Sequence, residues 1–180
     1  MFSQTFVSTI LENKNVVLEE YGGVRCGPCA DGHKIANEFE AANPGDVVII
    51  NVHAGGYAAP ASGYPNYTTT WGNALVNQTN NGGYYPSGTA NRHVFPGLGW
   101  TAGATGMSRG QWASAGNQIL AQSSYVNVAA KSTIDLASRE ITVVVEAFYT
   151  GNGSNTNRLN VALLQNNIEG FQVSATANPS

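Results

Sequence analysis

Hydrophobic and polar positions divide the chain into a first stretch of alternating strand and helix patterns and a second stretch of strands alone. Asn15 to Tyr21 is a short β-branched run ending at Gly22-Gly23, which predicts a strand followed by a turn. Cys29 to Ala42 then carries Ile35, Phe39 and Ala42 at helical spacing, interrupted by Gly32, and stops at Asn43-Pro44-Gly45. Asp46 to His53 is nearly continuous in apolar residues, the pattern of a strand buried on both faces. Strand, helix and strand make one βαβ unit with an expected right-handed crossover. Residues 54–65 read as loop, Tyr67 to Asn77 as a weak helix around Trp71, Leu75 and Val76, and Thr89 to Phe95 as a strand entered from Tyr85-Pro86. The Gly-rich residues 96–107 leave room for a short edge strand, and Ser108 is a candidate N-cap for a helix to about Gln122 that buries Trp112, Ile119 and Leu120.

From Ser124 onward the helical period is gone. Tyr125 to Ile134, Glu140 to Thr150 and Leu159 to Leu164 all read as strands, with a Gly/Asn-rich turn at 151–157 between the second and third. The stretch is short against the roughly 100 residues of a full β-sandwich. The division expected is therefore an α/β domain at 1–123, with a central mixed sheet flanked by helices, and a small antiparallel β module at 124–180. That module is either an extension or a partial β-sandwich. Ser174 to Ser180 is polar and expected to be disordered.

Composition narrows the function classes. Charged residues are 11% of the 180, against about 25% in an average soluble protein, and Gly, Asn, Ser and Thr supply the polarity instead, a balance more common in the cell envelope and exterior. The net charge of −3 offers no positive field for a phosphate backbone, so nucleic acid is not an expected partner. No apolar run approaches the ~20 residues of a membrane span. Met1 to Leu11 has no basic residue ahead of its apolar stretch and no small-residue cleavage site. It is not expected to act as a signal peptide, and an exported form would carry its targeting segment ahead of Met1.

The most specific chemical signal is Cys26-Gly27-Pro28-Cys29, the only cysteines of the chain, placed between a strand and the start of a helix. Free N–H groups and the positive end of the helix dipole favour thiolate over thiol there. Cys26, at an exposed first turn, is the expected attacking thiol, and Cys29 the one that resolves a mixed disulfide. Gly27 allows a tight entry, and Pro28 gives up no hydrogen bond in a first helical turn. A zinc half-site would need further thiolates or histidines, and a structural disulfide here closes too short a loop to remove much chain entropy. A C-x-x-C beside a βαβ pattern points to redox chemistry.

Strand, Cys26-Gly27-Pro28-Cys29, helix, strand, and Tyr85-Pro86 leading into a strand together resemble the thioredoxin fold and its active-site motif, over about residues 10–122. More narrowly, Glu19 to Cys26 (EEYGGVRC), Asp31-Gly32-His33, Asn51 to Gly56 (NVHAGG) and Leu163 to Ile168 (LLQNNI) resemble a family of bacterial proteins assigned to the outer membrane. Members of that family have a thioredoxin-like N-terminal half and a β-rich C-terminal part. The resemblance implies a thiol–disulfide oxidoreductase in the periplasm or on the outer membrane, without a cofactor. Its implied partners are cysteine-containing exported proteins and a redox partner protein. Pro86 would be the cis-proline facing the disulfide, with the Tyr85 backbone offering an edge to an extended substrate; Gly27 and Pro28 would line the same contact. Glu20 occupies the place of the buried acid that thioredoxins keep below the active site, where it would take the proton of Cys29; the alternative is a strand-end carboxylate in solvent. Thioredoxins carry Trp directly before the first cysteine, whereas this chain has Arg25. A guanidinium beside Cys26 would favour the thiolate, but the apolar docking surface of that Trp is absent. A strand and a helix of the full thioredoxin are also missing.

Two other classes remain open on the sequence. An envelope binding or assembly protein could keep the scaffold with a structural disulfide, since a fold does not fix a function. A copper-binding chaperone could use Cys26, Cys29 and His33 in a C-x-x-C-x-x-x-H cluster completed by His53 or His93, although a helix histidine here more often packs under the site. No G-x-S-x-G, H-E-x-x-H or P-loop motif is present.

Overall fold

The computed structural model describes residues 5–153 and 156–173. The expected disordered tail at 174–180 and two residues of the 151–157 turn lie outside them. The chain forms two compact units, each assembled from two segments: Met1–Lys14 with Ala121–Ala162, and Asn15–Leu120 with Leu163–Ser180.

The larger unit is a mixed α/β structure. Its elements are β1 (Val16–Gly22), α1 (Cys29–Ala42), β2 (Val47–His53), α2 (Gly72–Asn77), β3 (Ser87–Ala90), β4 (Met107–Ser108) and α3 (Trp112–Leu120), the last entered through a 3-10 turn at Arg109–Gln111. The four strands form one sheet in the order β2-β1-β3-β4. β1 pairs parallel with β2 and antiparallel with β3, which pairs antiparallel with β4. This topology is compatible with a thioredoxin-like fold. β1 therefore runs through the interior, and its register brings Glu20 opposite both Asn51 and Gly88.

One core, built of Val16, Leu18, Ala36, Phe39, Val47, Ala90, Met107, Trp112 and Ile119 among others, lies between the sheet and helices α1 and α3. Trp112 reaches β3 because Gly88 has no side chain: a Cβ there would stand 2.6 Å from the indole Nε1. Gly32, expected to interrupt α1, is a buried helical residue for a similar reason, described below.

Several expected elements differ. β2 is an edge strand, and the burial expected on both of its faces is only partial: Val47 and Ile49 turn to the core just described, Ile50 and Val52 to a second cluster with Tyr21, Ala54 and Val76, while Val48 is 44% exposed. The expected helix from Tyr67 begins only at Gly72 and leaves Trp71 exposed. The strand expected to reach Phe95 ends at Ala90, where Asn91 and Arg92 turn to left-handed φ values of 50° and 48°. Asn91 then replaces the ladder with its side chain: its Oδ1 accepts from the Val17 N–H at 2.6 Å and its Nδ2 donates to the Asn15 carbonyl at 2.9 Å. Ser108 precedes the 3-10 turn without a side-chain cap bond.

The smaller unit is the antiparallel hairpin of β5 (Val126–Asp135) and β6 (Glu140–Tyr149). Asp135 organises its turn by accepting from the N–H groups of Ala137 and Ser138. The N-terminal segment is tied along it by Asn127, whose Nδ2 donates to the carbonyls of Ser8 and Ile10, and by Glu146, which accepts from Thr5, Phe6 and Val7. The third strand expected at Leu159–Leu164 does not form. Its alternating residues have the composition of a strand but no paired edge, and β pattern without a partner does not hold a strand. Among the described residues no helix is long and apolar enough to cross a membrane.

Candidate redox site

Cys26 and Cys29 form a disulfide, with Cα atoms 5.3 Å apart. The chain leaves β1 at Gly22, turns through Gly23 to Arg25, and enters α1 at Cys29, its first helical residue. The Cys26 N–H donates to the Gly23 carbonyl at 2.9 Å, and the Cys29 N–H to the Cys26 carbonyl at 3.1 Å. Cys26 thus lies in the turn that precedes the helix. Both glycines are there for space. A Cβ on Gly22 would stand 2.8 Å from the Cys29 Sγ, and one on Gly23 would stand 2.3 Å from the Ala58 nitrogen.

Beneath the disulfide lies a buried polar group. Glu20 is 1% exposed, and its Oε1 is 2.9 Å from the His33 Nδ1. That is hydrogen-bond distance, but Oε1 receives no well-aligned donor, so attraction of charge dominates the contact. Gly32 makes room for it, since a Cβ there would stand 2.9 Å from Glu20 Oε1 and 3.2 Å from Pro86 Cγ. Asn51 Nδ2 also stands 2.9 Å from His33 Nδ1. Nδ1 can carry a proton toward Glu20 or accept one from Asn51, but not both. Burial pulls the His33 pKa down; the contact with and charge of Glu20, followed by a hydrogen bond to Gln172, outweigh it and hold the pKa above its ordinary value. The raised pKa widens the pH range over which an imidazolium faces Glu20. His53 goes the other way, its pKa lowered by burial and then by the charge of His33.

The Tyr85-Pro86 peptide bond is cis. Pro86 is buried and packs at Gly32, while the half-buried Tyr85 ring lies against Gly55 and the Tyr57 ring, whose centroid is 6.1 Å away. Gly55 holds a φ of 73°, and a Cβ there would overlap the Tyr85 hydroxyl. Gly27 is half-buried and Pro28 exposed.

Two expectations are corrected here. Cys26 is not at an exposed turn: it is 1% exposed, under residues that return from the C-terminal part of the chain. Arg25 does not lend a free guanidinium to the sulfur. Its Nη2 donates to the carbonyls of Gly56 at 2.7 Å and Ala59 at 3.1 Å, and its N–H to the Tyr57 carbonyl, so the side chain clamps the 54–59 loop beside the motif. The alternative copper cluster is not assembled either. The two sulfurs are bonded to each other, and among the described residues no group of three or more His, Cys, Asp or Glu could hold a metal ion. His53 packs edge-on against Tyr67, and His93 against Phe95.

Glu20 is buried and is not a strand-end carboxylate in solvent, and His33 faces it from α1. The contribution missed in the sequence is Gln172, whose Nε2 donates to the Cys26 carbonyl at 2.9 Å from 146 positions away. No period or motif marks it.

No protein-family model, curated protein or solved structure matches the chain.

Within the larger unit, Glu20 and Gly22 are two residues apart on β1 and so face the same side of the sheet. The Cys29 sulfur sits over one and the carboxylate–imidazole pair occupies the other. Such a pair can hold or accept a proton beside a thiol that is released when the disulfide is reduced.

Proposed function

We propose that the protein is a thioredoxin-like thiol–disulfide oxidoreductase of the bacterial cell envelope. The observation that carries this reading is the Cys26–Cys29 disulfide at the start of α1 with the buried Glu20–His33 pair below it. The strand order and the cis Tyr85-Pro86 bond support the thioredoxin-like part. The low charge content and the oxidised pair support an oxidising compartment.

In the reduced protein the Cys26 thiolate attacks a disulfide sulfur of an exported client. A Cys26–client disulfide forms, and the client's other sulfur leaves as a thiolate that takes a proton from water. Cys29 then gives its proton to the Glu20–His33 pair and attacks the Cys26 sulfur. The Cys26–Cys29 disulfide re-forms and the client leaves with both sulfurs reduced, two electrons having passed from the protein to it. A redox partner protein with a dithiol restores the starting state. Run backwards, the same steps oxidise a client dithiol. Tyr85 and the Gly27-Pro28 turn are proposed to contact the client. Reduction of insulin by the dithiol, lost in Cys26→Ser, tests the reading.

The burial of Cys26 favours a second reading, a binding or assembly protein of the envelope in which the disulfide is structural. On that reading the pair resists reduction and Cys26→Ser leaves binding intact.

A further inference from the structure

Gln172 and Val173 lie on the disulfide turn, and the two residues before them lie on Tyr64 and Tyr67 of the loop that follows β2. The Val173 N–H donates to the Val24 carbonyl at 2.8 Å. Gln172 Nε2 donates to the carbonyls of Gly23 at 3.2 Å and Cys26 at 2.9 Å. The Phe171 ring packs edge-on against Tyr64, with centroids 5.5 Å apart. Gly170 runs so close to Tyr67 that a Cβ there would overlap the phenol oxygen. Each of the four therefore has its own partner, two of them on the turn that carries Cys26.

We propose that Gly170–Val173 is a strap that closes the Cys26–Cys29 site and must lift before any thiol or disulfide reaches Cys26. The inference rests on the proposed redox reading in naming what the strap regulates, while the closure itself stands on the contacts above. The strap holds through a few hydrogen bonds and one aromatic contact, against the entropy of ordering four residues without secondary structure, so the closed state is favoured modestly, by upward of about ten to one. Lifting it frees the carbonyl of Val24 and the second acceptor position of those of Gly23 and Cys26, which an extended backbone or a side-chain amide can use. The occupant that fits is an extended client segment flanking its cysteine, which takes over the strap's hydrogen bonds as it displaces it.

The test is the rate at which dithiothreitol reduces the Cys26–Cys29 disulfide in the oxidised full-length chain, followed by alkylation of the released thiols. The variant Gln172→Ala/Val173→Pro removes the amide and the Val173 N–H donor. Gly170→Val displaces the strap through the Tyr67 hydroxyl and leaves those groups in place. Both are expected to be reduced at least about tenfold faster than wild type, at a temperature where all three have the same near-UV circular dichroism. Rates within about twofold of wild type in both overturn the strap. Failure of the two ideas is separable. Faster reduction of the variants with no insulin reduction by any form leaves the strap and removes the oxidoreductase. Equal rates with insulin reduction lost in Cys26→Ser do the reverse.

Discussion

The Nδ1 of His33 stands 2.9 Å from the Oε1 of Glu20, a carboxylate buried under the first turn of the helix that carries Cys29. A buried charge is costly unless it is paired. Strand β1 supplies the acid, α1 the imidazole, and the missing Cβ of Gly32 the space between them.

This pair gives stability a defined dependence on pH. The folded pKa of His33 is raised above the value of about 6.5 expected unfolded, so its contribution is fully present below that pH. It is lost as pH rises through the folded pKa. The folded pKa of His53 is lowered, so its contribution is present above about 6.5 and lost as pH falls through the folded value. For the oxidised protein, where the cysteines do not titrate, urea unfolding should show a maximum near pH 6.5. His33→Asn should flatten the high-pH side and His53→Asn the low-pH side. A His33→Asn profile that superimposes on wild type above pH 6.5 would contradict the pairing.

Glu20→Gln keeps the shape of the side chain and removes its charge. In a single-turnover reaction of the reduced protein, the mixed disulfide on Cys26 should persist at least about a hundredfold longer, the lower end of the span usual for loss of a proton acceptor. His33 should also titrate at lower pH by NMR. Unchanged resolution with a shifted His33 would limit Glu20 to a structural role.

Gly22→Ala places a methyl group 2.8 Å from the Cys29 sulfur. Overpacking of this kind costs about 1–3 kcal/mol. Because the clash involves Sγ where the disulfide holds it, the oxidised protein should lose more stability than the reduced one. Equal losses, measured by thermal unfolding with and without reductant, would place the strain elsewhere.

Away from the site, Arg92 Nε and Nη2 donate to the two oxygens of the buried Glu19 at 2.7 and 2.6 Å, and the Tyr21 hydroxyl donates to the same carboxylate at 3.1 Å. Burial, then the charge of Glu19, raises the Tyr21 pKa. Arg92→Ala should destabilise the fold by about 1–3 kcal/mol, toward the lower end because the guanidinium side is 42% exposed and screened. Lys at 92 should recover only part of it, since the ammonium cannot repeat the two-pronged contact.

Local pattern carried the elements that local chemistry dictates. β1 and α1 follow from a β-branched run and from periodic apolar residues that stop at Pro44-Gly45, and Cys26-x-x-Cys29 marked its own site. What escaped depended on partners far away in sequence. The edge position of β2 is decided by which strand pairs with β1, and the end of β3 at Ala90 by the side chain of Asn91 bonding to β1. Leu159–Leu164 has a strand's alternation without a strand to pair with. The bond to the Cys26 carbonyl comes from Gln172, a residue with no feature to distinguish it before the chain is folded.

The central claim concerns the Cys26–Cys29 pair as a working redox couple, and its reduction potential tests that most directly. Wild-type protein equilibrated in glutathione or dithiothreitol buffers and quenched by alkylation should titrate as a two-electron couple between about −120 and −270 mV, the span of catalytic dithiols. A potential below about −300 mV, where structural disulfides of secreted proteins lie, would contradict the account.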